Sequence, residues 1–158
     1  MAGILIFGYG NTLRGDDGLG PEAVSRLKER LAADQSAIQF RIAHQLLPED
    51  AGIISEVDHV IFIDAREGES PGEIQSERLY PSEEGLKGTS FHTITPSTLL
   101  TMAGECFGSA PTGHLFTITG KDFGYQEGLS RVIEDSLPQL TEQVLDHLAM
   151  VSGSVFTA

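Results

Sequence analysis

Hydrophobic residues along this chain fall into two alternating rhythms. Short unbroken runs, Ile4-Leu5-Ile6-Phe7 and Val60-Ile61-Phe62-Ile63, read as strands buried on both faces. Between and after them apolar residues recur at helical spacing, as in Val24, Leu27 and Leu31 and again in Leu99, Leu100, Met102 and Ala103. The pattern predicts strands over Gly3 to Phe7, Ile38 to Ala43, His59 to Asp64 and Gly113 to Thr119. A looser alternation from Glu73 to Leu79 predicts a half-exposed edge strand. Helices are expected from Gly20-Pro21 to about Ala33, from Pro48 to Val57, and from Thr95-Pro96 to Gly108. The stretch from Leu129 to Leu148 is helical in spacing but carries Pro138, which predicts either a kink or a helix start capped by Ser136.

Strands that alternate with helices argue for a mainly parallel sheet covered on both faces. At 158 residues the expectation is one domain with its own core, over residues 1–150, with a frayed tail at 151–158. No repeat or low-complexity segment interrupts it.

The first strand feeds a glycine-rich stretch, Gly8-Tyr9-Gly10-Asn11-Thr12-Leu13-Arg14-Gly15-Asp16-Asp17-Gly18-Leu19-Gly20. Glycines there permit tight turns that fold the loop over the carboxyl end of the strand, where open α/β sheets do their chemistry. A dinucleotide fingerprint does not fit. Leu13 occupies the place of the third glycine, the second strand runs into His44-Gln45 instead of an acid, and two aspartates at the helix mouth repel a pyrophosphate. A phosphate-binding P-loop is excluded by the lack of a following Gly-Lys-Ser/Thr. Asn11 is placed to tie the loop through an Asx-type turn.

Charge narrows the partners. Ten basic residues against twenty-three acidic ones give a formal net charge of -13, which disfavours nucleic acid and anionic membranes. A single cysteine, Cys106, leaves no intrachain disulfide and fits a reducing compartment, and its place on an apolar helix predicts an inert buried thiol. The amino terminus lacks a basic region, and its apolar run is too short for a signal peptide or a membrane span. A cytoplasmic location is expected.

Three side chains stand at the ends of separate elements: Asp17 after the first strand, Asp64 ending the third, and His92 in the loop before a helix. In a doubly wound sheet the first and third strands empty into the same rim. Two carboxylates and an imidazole offer three ligands to a borderline metal, nickel or zinc more than calcium or magnesium, with positions left for water or substrate. Each residue has a structural reading beside this one. Asp16 or Asp17 could cap a helix or complement its dipole, Asp64 could form a turn, and His92 could be solvated. For His44 the expectation is a hydrogen bond at its strand end. His59, His114 and His147 are given no chemistry, and Glu67, Glu69, Glu73, Glu77, Glu83 and Glu84 read as a solvated face.

Four motifs together, Gly8-x-Gly10-Asn11-x-Leu13-x-x-Asp16-Asp17-Gly18-x-Gly20-Pro21, Phe62-Ile63-Asp64-Ala65, Pro71-Gly72-Glu73-Ile74 and Phe91-His92-x-x-x-Pro96-x-x-Leu99-Leu100, resemble the nickel-iron hydrogenase maturation endopeptidases in order and spacing. The resemblance spans about Ile4 to Leu148. It implies a single three-layer α/β/α domain around a mostly parallel sheet of about five strands, with the edge strand antiparallel. It carries the metal-binding and catalytic roles to Asp17, Asp64 and His92. It implies an endopeptidase that removes a short carboxyl-terminal extension from a hydrogenase large-subunit precursor after nickel insertion. The nickel would be borne by that substrate, with zinc or cadmium able to substitute. Whether the metal polarises the peptide carbonyl, activates water or only registers the substrate stays open. Where some relatives place an acid followed by glycines after the second strand, this chain has His44-Gln45-Leu46-Leu47-Pro48-Glu49, as in the subgroup serving soluble, cofactor-linked hydrogenases. A non-catalytic nickel-binding chaperone or sensor on the same partner is the alternative, and a flavin or nucleotide module is disfavoured by Leu13 and by the lack of a phosphate-binding cation beyond Arg14. A monomer is expected, since no heptad or long apolar surface helix is visible.

Overall fold

The computed structural model describes residues 3–31, 37–87 and 93–153. Five strands, β1 (Ile4–Tyr9), β2 (Ile38–Ala43), β3 (His59–Arg66), β4 (Ile74–Leu79) and β5 (Thr112–Thr119), form one sheet in the order β2-β1-β3-β5-β4. Pairing is parallel throughout except between β4 and β5, so the antiparallel edge strand stands where the alternation of residues 73–79 places it. The strand order reverses at β1, whose neighbours β2 and β3 lie on its opposite sides. The crevice above β1 and β3 is therefore the topological switch point of the sheet.

Alternate side chains of each buried strand serve different layers. Ile4 and Ile6 of β1 and Ile61 and Ile63 of β3 join Phe116 and Ile118 of β5 beneath α1 (Leu19–Arg30) and α4 (Arg131–Ser152). Leu5, Phe7, Val60 and Phe62 point the other way, against α2 (Asp50–Ile54) and α3 (Pro96–Phe107). Phe7 and Phe62 stack at 5.9 Å between centroids, on the side of the sheet that leads up to the crevice. Thr95 caps α3 by accepting from the Thr98 N–H at 3.1 Å, with Pro96 behind it, as the sequence pattern predicts.

Several expectations are corrected. Of the two alternatives expected at Pro138, a kink or a helix start, the helix start is not taken. α4 begins at Arg131 and runs through Pro138, and Ser136 lies inside it, donating to the carbonyls of Val132 (2.8 Å) and Gly72 (3.2 Å). A proline inside a helix costs about 3 kcal/mol, but the buried stripe Ile133, Leu137, Leu140, Val144 and Leu148 contributes about 1.5–3 kcal/mol per side chain and outweighs it. The helix also continues through Ser152, two residues into the segment expected to fray; residues 154–158 lie outside those described. Cys106 is exposed, not buried, because the packed stripe of α3 ends at Ala103 and its last turn projects past the core. The helix expected over residues 48–57 is shorter, from Asp50 to Ile54.

Candidate active site

The glycine loop after β1 closes on itself before it reaches α1. The Leu13 N–H donates to Asn11 Oδ1 at 2.9 Å, the Asx-type turn anticipated for Asn11, and the chain then winds through a 3₁₀ turn, Gly15–Gly18. Two glycines make the approach possible. A side chain at Gly10 would overlap the carbonyl oxygen of Asp17, and one at Gly20 would collide with the carbonyls of Ile63 and Tyr9. The first turn of α1 can thus press onto the ends of β1 and β3, bringing Asp17 over the switch point.

Within the 3₁₀ turn the two aspartates separate. Asp16 is fully buried and turns toward the loop that joins β5 to α4. Its carboxylate accepts from the N–H groups of Lys121 (2.8 Å), Asp122 (3.0 Å) and Ser130 (2.7 Å) and from the Ser130 hydroxyl (2.7 Å). Burial works against its charge, but those donors prevail and hold its pKa below the ordinary carboxylate value. Neither aspartate caps α1, which has no side-chain cap.

Asp17 is only partly buried and faces the crevice. The Asn11 N–H donates to its Oδ2 at 2.7 Å, and no other hydrogen bond to its side chain is present among the described residues. Asp64, near the end of β3, lines the same crevice, its Oδ1 accepting from the Ala65 N–H at 2.7 Å. Burial, with a smaller contribution from the charge of Asp17, pushes the Asp64 carboxyl up to about 6, against hydrogen bonds from Tyr9 and the Ala65 N–H that favour its charged form. The Tyr9 hydroxyl is raised from its ordinary value by burial, by the charge of Asp64 and its hydrogen bond to it, and by the charge of Asp17. Edge contacts with Phe7 at 6.2 Å and Phe62 at 6.4 Å fix the Tyr9 ring beneath the two acids.

Asp17 and Asp64 form the shared wall of two cavities. One, of about 350 Å³, opens toward β2 and is bounded by His44 to Pro48 and by Thr93. The other, of about 300 Å³, opens toward β5 and is bounded by Arg14, Ala65, Glu67 and Phe123. The β2-side wall is held by the buried Asp50, which accepts from the partly exposed Arg41 Nη2 at 2.9 Å and from the Leu47 N–H at 2.9 Å. On the β5 side, Arg14 donates through Nε to the Phe123 carbonyl at 3.2 Å and lies over the Tyr125 ring at 5.2 Å.

The sequence-derived site is thus assembled in two of its three parts. Asp17 and Asp64 meet. His92 lies outside the described residues, although Thr93, the next residue, lines the cavity that both acids share. Among the described residues no group of three histidine, cysteine or acidic side chains could hold a metal ion. The donor chemistry present still suits a divalent cation, for two carboxylates face one crevice, and a cation between them would offset the burial and the neighbouring Asp17 charge that disfavour ionised Asp64. His44 is at the cavity, exposed and with no side-chain hydrogen bond among the described residues, so the expected tie to its strand end is not seen among them. Tyr9, Arg14 and Phe123 were not anticipated as site residues. Tyr9 had a signal, standing between Gly8 and Gly10 at the strand end; Phe123 had none, because its place depends on the long-range clamp made by Asp16. The other histidines stay remote from the crevice. His114 and His147 stack at 4.2 Å between centroids, and burial, then the neighbouring His114 and His59, pull His147 down to about 4. The six glutamates are exposed as expected, Glu67 also edging the β5-side cavity.

Among solved structures the chain superposes on hydrogenase maturation enzymes along nearly its whole length. It is similar to the hydrogenase maturating endopeptidase HybD from E. coli, at 25% identity over 94% of this chain and 93% of that one, with a TM-score of 0.74. It is likewise similar to the NiFe hydrogenase maturation protease HycI from Thermococcus kodakarensis KOD1, at 25% identity over 90% of each chain and a TM-score of 0.68. An endopeptidase from Escherichia coli determined in solution shares its fold at a TM-score of 0.78, with 24% identity over 97% of this chain and 95% of that one. No protein-family model and no curated protein sequence matches the chain.

Proposed function

We infer that this chain, whose fold matches solved hydrogenase maturation endopeptidases over nine-tenths or more of its length, is an endopeptidase that removes the carboxyl-terminal extension of a nickel-iron hydrogenase large-subunit precursor once nickel is in place. The observation that carries the reading is the convergence of Asp17, from the 3₁₀ turn after β1, and Asp64, from β3, on the crevice at the switch point. In this reading the nickel arrives with the substrate, and zinc or cadmium could stand in for it. Asp17, Asp64 and His92 supply the ligands it lacks, so that only a loaded precursor is held with its scissile bond in register.

The chain's own residues support that role. Asp17 keeps most of its lone pairs free, since one backbone N–H is its sole hydrogen-bond partner among the described residues. Asp64, pushed up by burial and more weakly by the charge of Asp17, is poised between charged and neutral forms near pH 6 until a cation or a proton relieves it. Among the described residues no helix is long and apolar enough to cross a membrane. The single cysteine supports a cytoplasmic setting, and a monomer is the form proposed.

The deciding experiment is the mass of the large-subunit precursor of the same host after incubation with this protein, nickel-loaded against nickel-free. Loss of a short carboxyl-terminal peptide from the loaded form alone is expected. An unchanged mass, together with nickel binding that Asp17→Asn removes, would replace the endopeptidase with a nickel-binding chaperone.

A further inference from the structure

The two cavities that share Asp17 and Asp64 differ in chemistry and lie on one line. The sheet order sets that line: the β2-side cavity is walled by the segment that follows β2, the acids stand over β1 and β3, and the β5-side cavity is walled by Glu67 beyond β3 and Phe123 beyond β5. The cleft therefore crosses the carboxyl ends of the strands. The β2-side cavity is built on Leu46, Leu47 and Pro48, and Leu47 keeps 41% of its surface exposed although it lines a concave wall. The β5-side cavity sets the charges of Arg14 and Glu67 around Phe123.

We propose that these cavities are the two halves of a single peptide-binding cleft, in which the scissile bond lies above Asp17 and Asp64, an apolar residue on one flank enters the Leu46–Pro48 cavity, and a polar or charged residue on the other flank enters the Arg14–Phe123 cavity. The proposal rests on the endopeptidase reading and deepens it. Its occupant is the stretch of substrate chain on either side of the cleaved bond, and continuity supports it, because a chain that reaches both acids has a cavity on each side. Both walls are set before substrate arrives. Asp50 holds the N–H of Leu47, and the Phe123 carbonyl and Tyr125 ring hold Arg14, so little ordering cost falls on the enzyme.

The test is charge exchange across the bond, located first by the product masses from nickel-loaded precursor and wild-type protein. Precursors carrying Asp at the residue before or after that bond are then cleaved by wild-type protein and by Leu47→Lys, which changes an exposed side chain. At one flank only, the Asp substitution is expected to lower kcat/KM about tenfold to a hundredfold with wild-type protein, and Leu47→Lys to recover at least about tenfold. At the other flank, Leu47→Lys is expected to give no recovery of the Asp-substituted precursor, while Arg14→Glu reverses a preference between Asp and Lys there. Recovery by Leu47→Lys at both flanks or at neither overturns the cleft. If wild-type protein leaves the loaded precursor intact, the endopeptidase reading itself fails and takes the cleft with it, which separates the two failures.

Discussion

Asp16 and Asp17 are adjacent in sequence, identical in chemistry and opposite in use. Asp16 looks inward, where four donors at 2.7–3.0 Å satisfy it and bind the glycine loop to the β5–α4 connection. Asp17 looks outward, meets one backbone N–H and stands in a crevice with a second carboxylate. The 3₁₀ turn produces the division by rotating successive side chains away from each other. A carboxylate saturated with donors has nothing left to offer a ligand, whereas one left short of them is available to a cation. The inner acid builds the wall, and the outer one works beside it.

The sharpest way to break this contrast is to neutralise each acid in turn. Asp17→Asn is nearly the same size and keeps an oxygen for the Asn11 N–H, so the fold should hold while precursor cleavage falls by at least about a hundredfold, more than the loss of an outer partner of a metal ligand costs. Full cleavage by that variant would place the chemistry elsewhere. Asp16→Ala should do the reverse of what a site mutation does. It takes the charged acceptor from three part-buried backbone N–H groups and should destabilise the protein by about 3–5 kcal/mol, read by denaturant unfolding. Because the Asp16 pKa lies below its ordinary value, its contribution is present above that ordinary value and is lost as pH falls through the folded-state pKa. The gap between Asp16→Ala and wild type should therefore narrow in acid.

Asp64 sharpens the comparison in the opposite direction. Its pKa is raised from 3.8 to about 6, so the folded protein binds more protons than the unfolded chain between those values, and stability is lost as pH rises through that window. Above pH 6 the charge is a net cost. Asp64→Asn retains an acceptor for the Ala65 N–H, and in chelator-treated protein at pH 8 it should raise stability by about 1–3 kcal/mol, with the gain gone near pH 3. Equal stability at pH 8 would mean that the crevice imposes no such penalty. Wild-type protein should recover the difference when a divalent cation is added and the variant should not.

How far this division could be read from the chain follows from the range of each contact. Strand positions, the antiparallel edge and the Thr95 cap are written in local periodicity and turn chemistry, and the glycine loop with its Asx turn was legible for the same reason. Asp17 and Asp64 could be paired because a doubly wound sheet sends β1 and β3 to one rim. The separate fate of Asp16 was not legible, since its partners lie more than a hundred residues away at 121, 122 and 130. The helix start offered as one alternative at Pro138 failed because a local breaker was weighed without the buried stripe on both sides of it, and Cys106 misled because an apolar helix was taken as packed to its last turn.

The smallest effect concerns the hinge between the two sides of the loop. Asn11 uses its side chain to accept from the Leu13 N–H and its own N–H to donate to Asp17, so it bears on the turn and on the outer acid at once. Asn11→Ala removes the first contact and keeps the second. The turn is exposed, so water can replace the lost acceptor, and the expected cost is about 0.5–1.5 kcal/mol of stability. The effect on function should come through placement: with the turn loosened, Asp17 samples more positions, and cleavage of nickel-loaded precursor should slow while Asp16 and its four donors stay in place. Asn11→Asp restores an acceptor for the Leu13 N–H and should recover the stability, but it sets a third negative charge beside Asp17. If Asn11→Asp recovers stability and cleavage alike, the outer side of the loop needs only its turn; if it recovers stability alone, the charge around Asp17 is tuned as closely as its position.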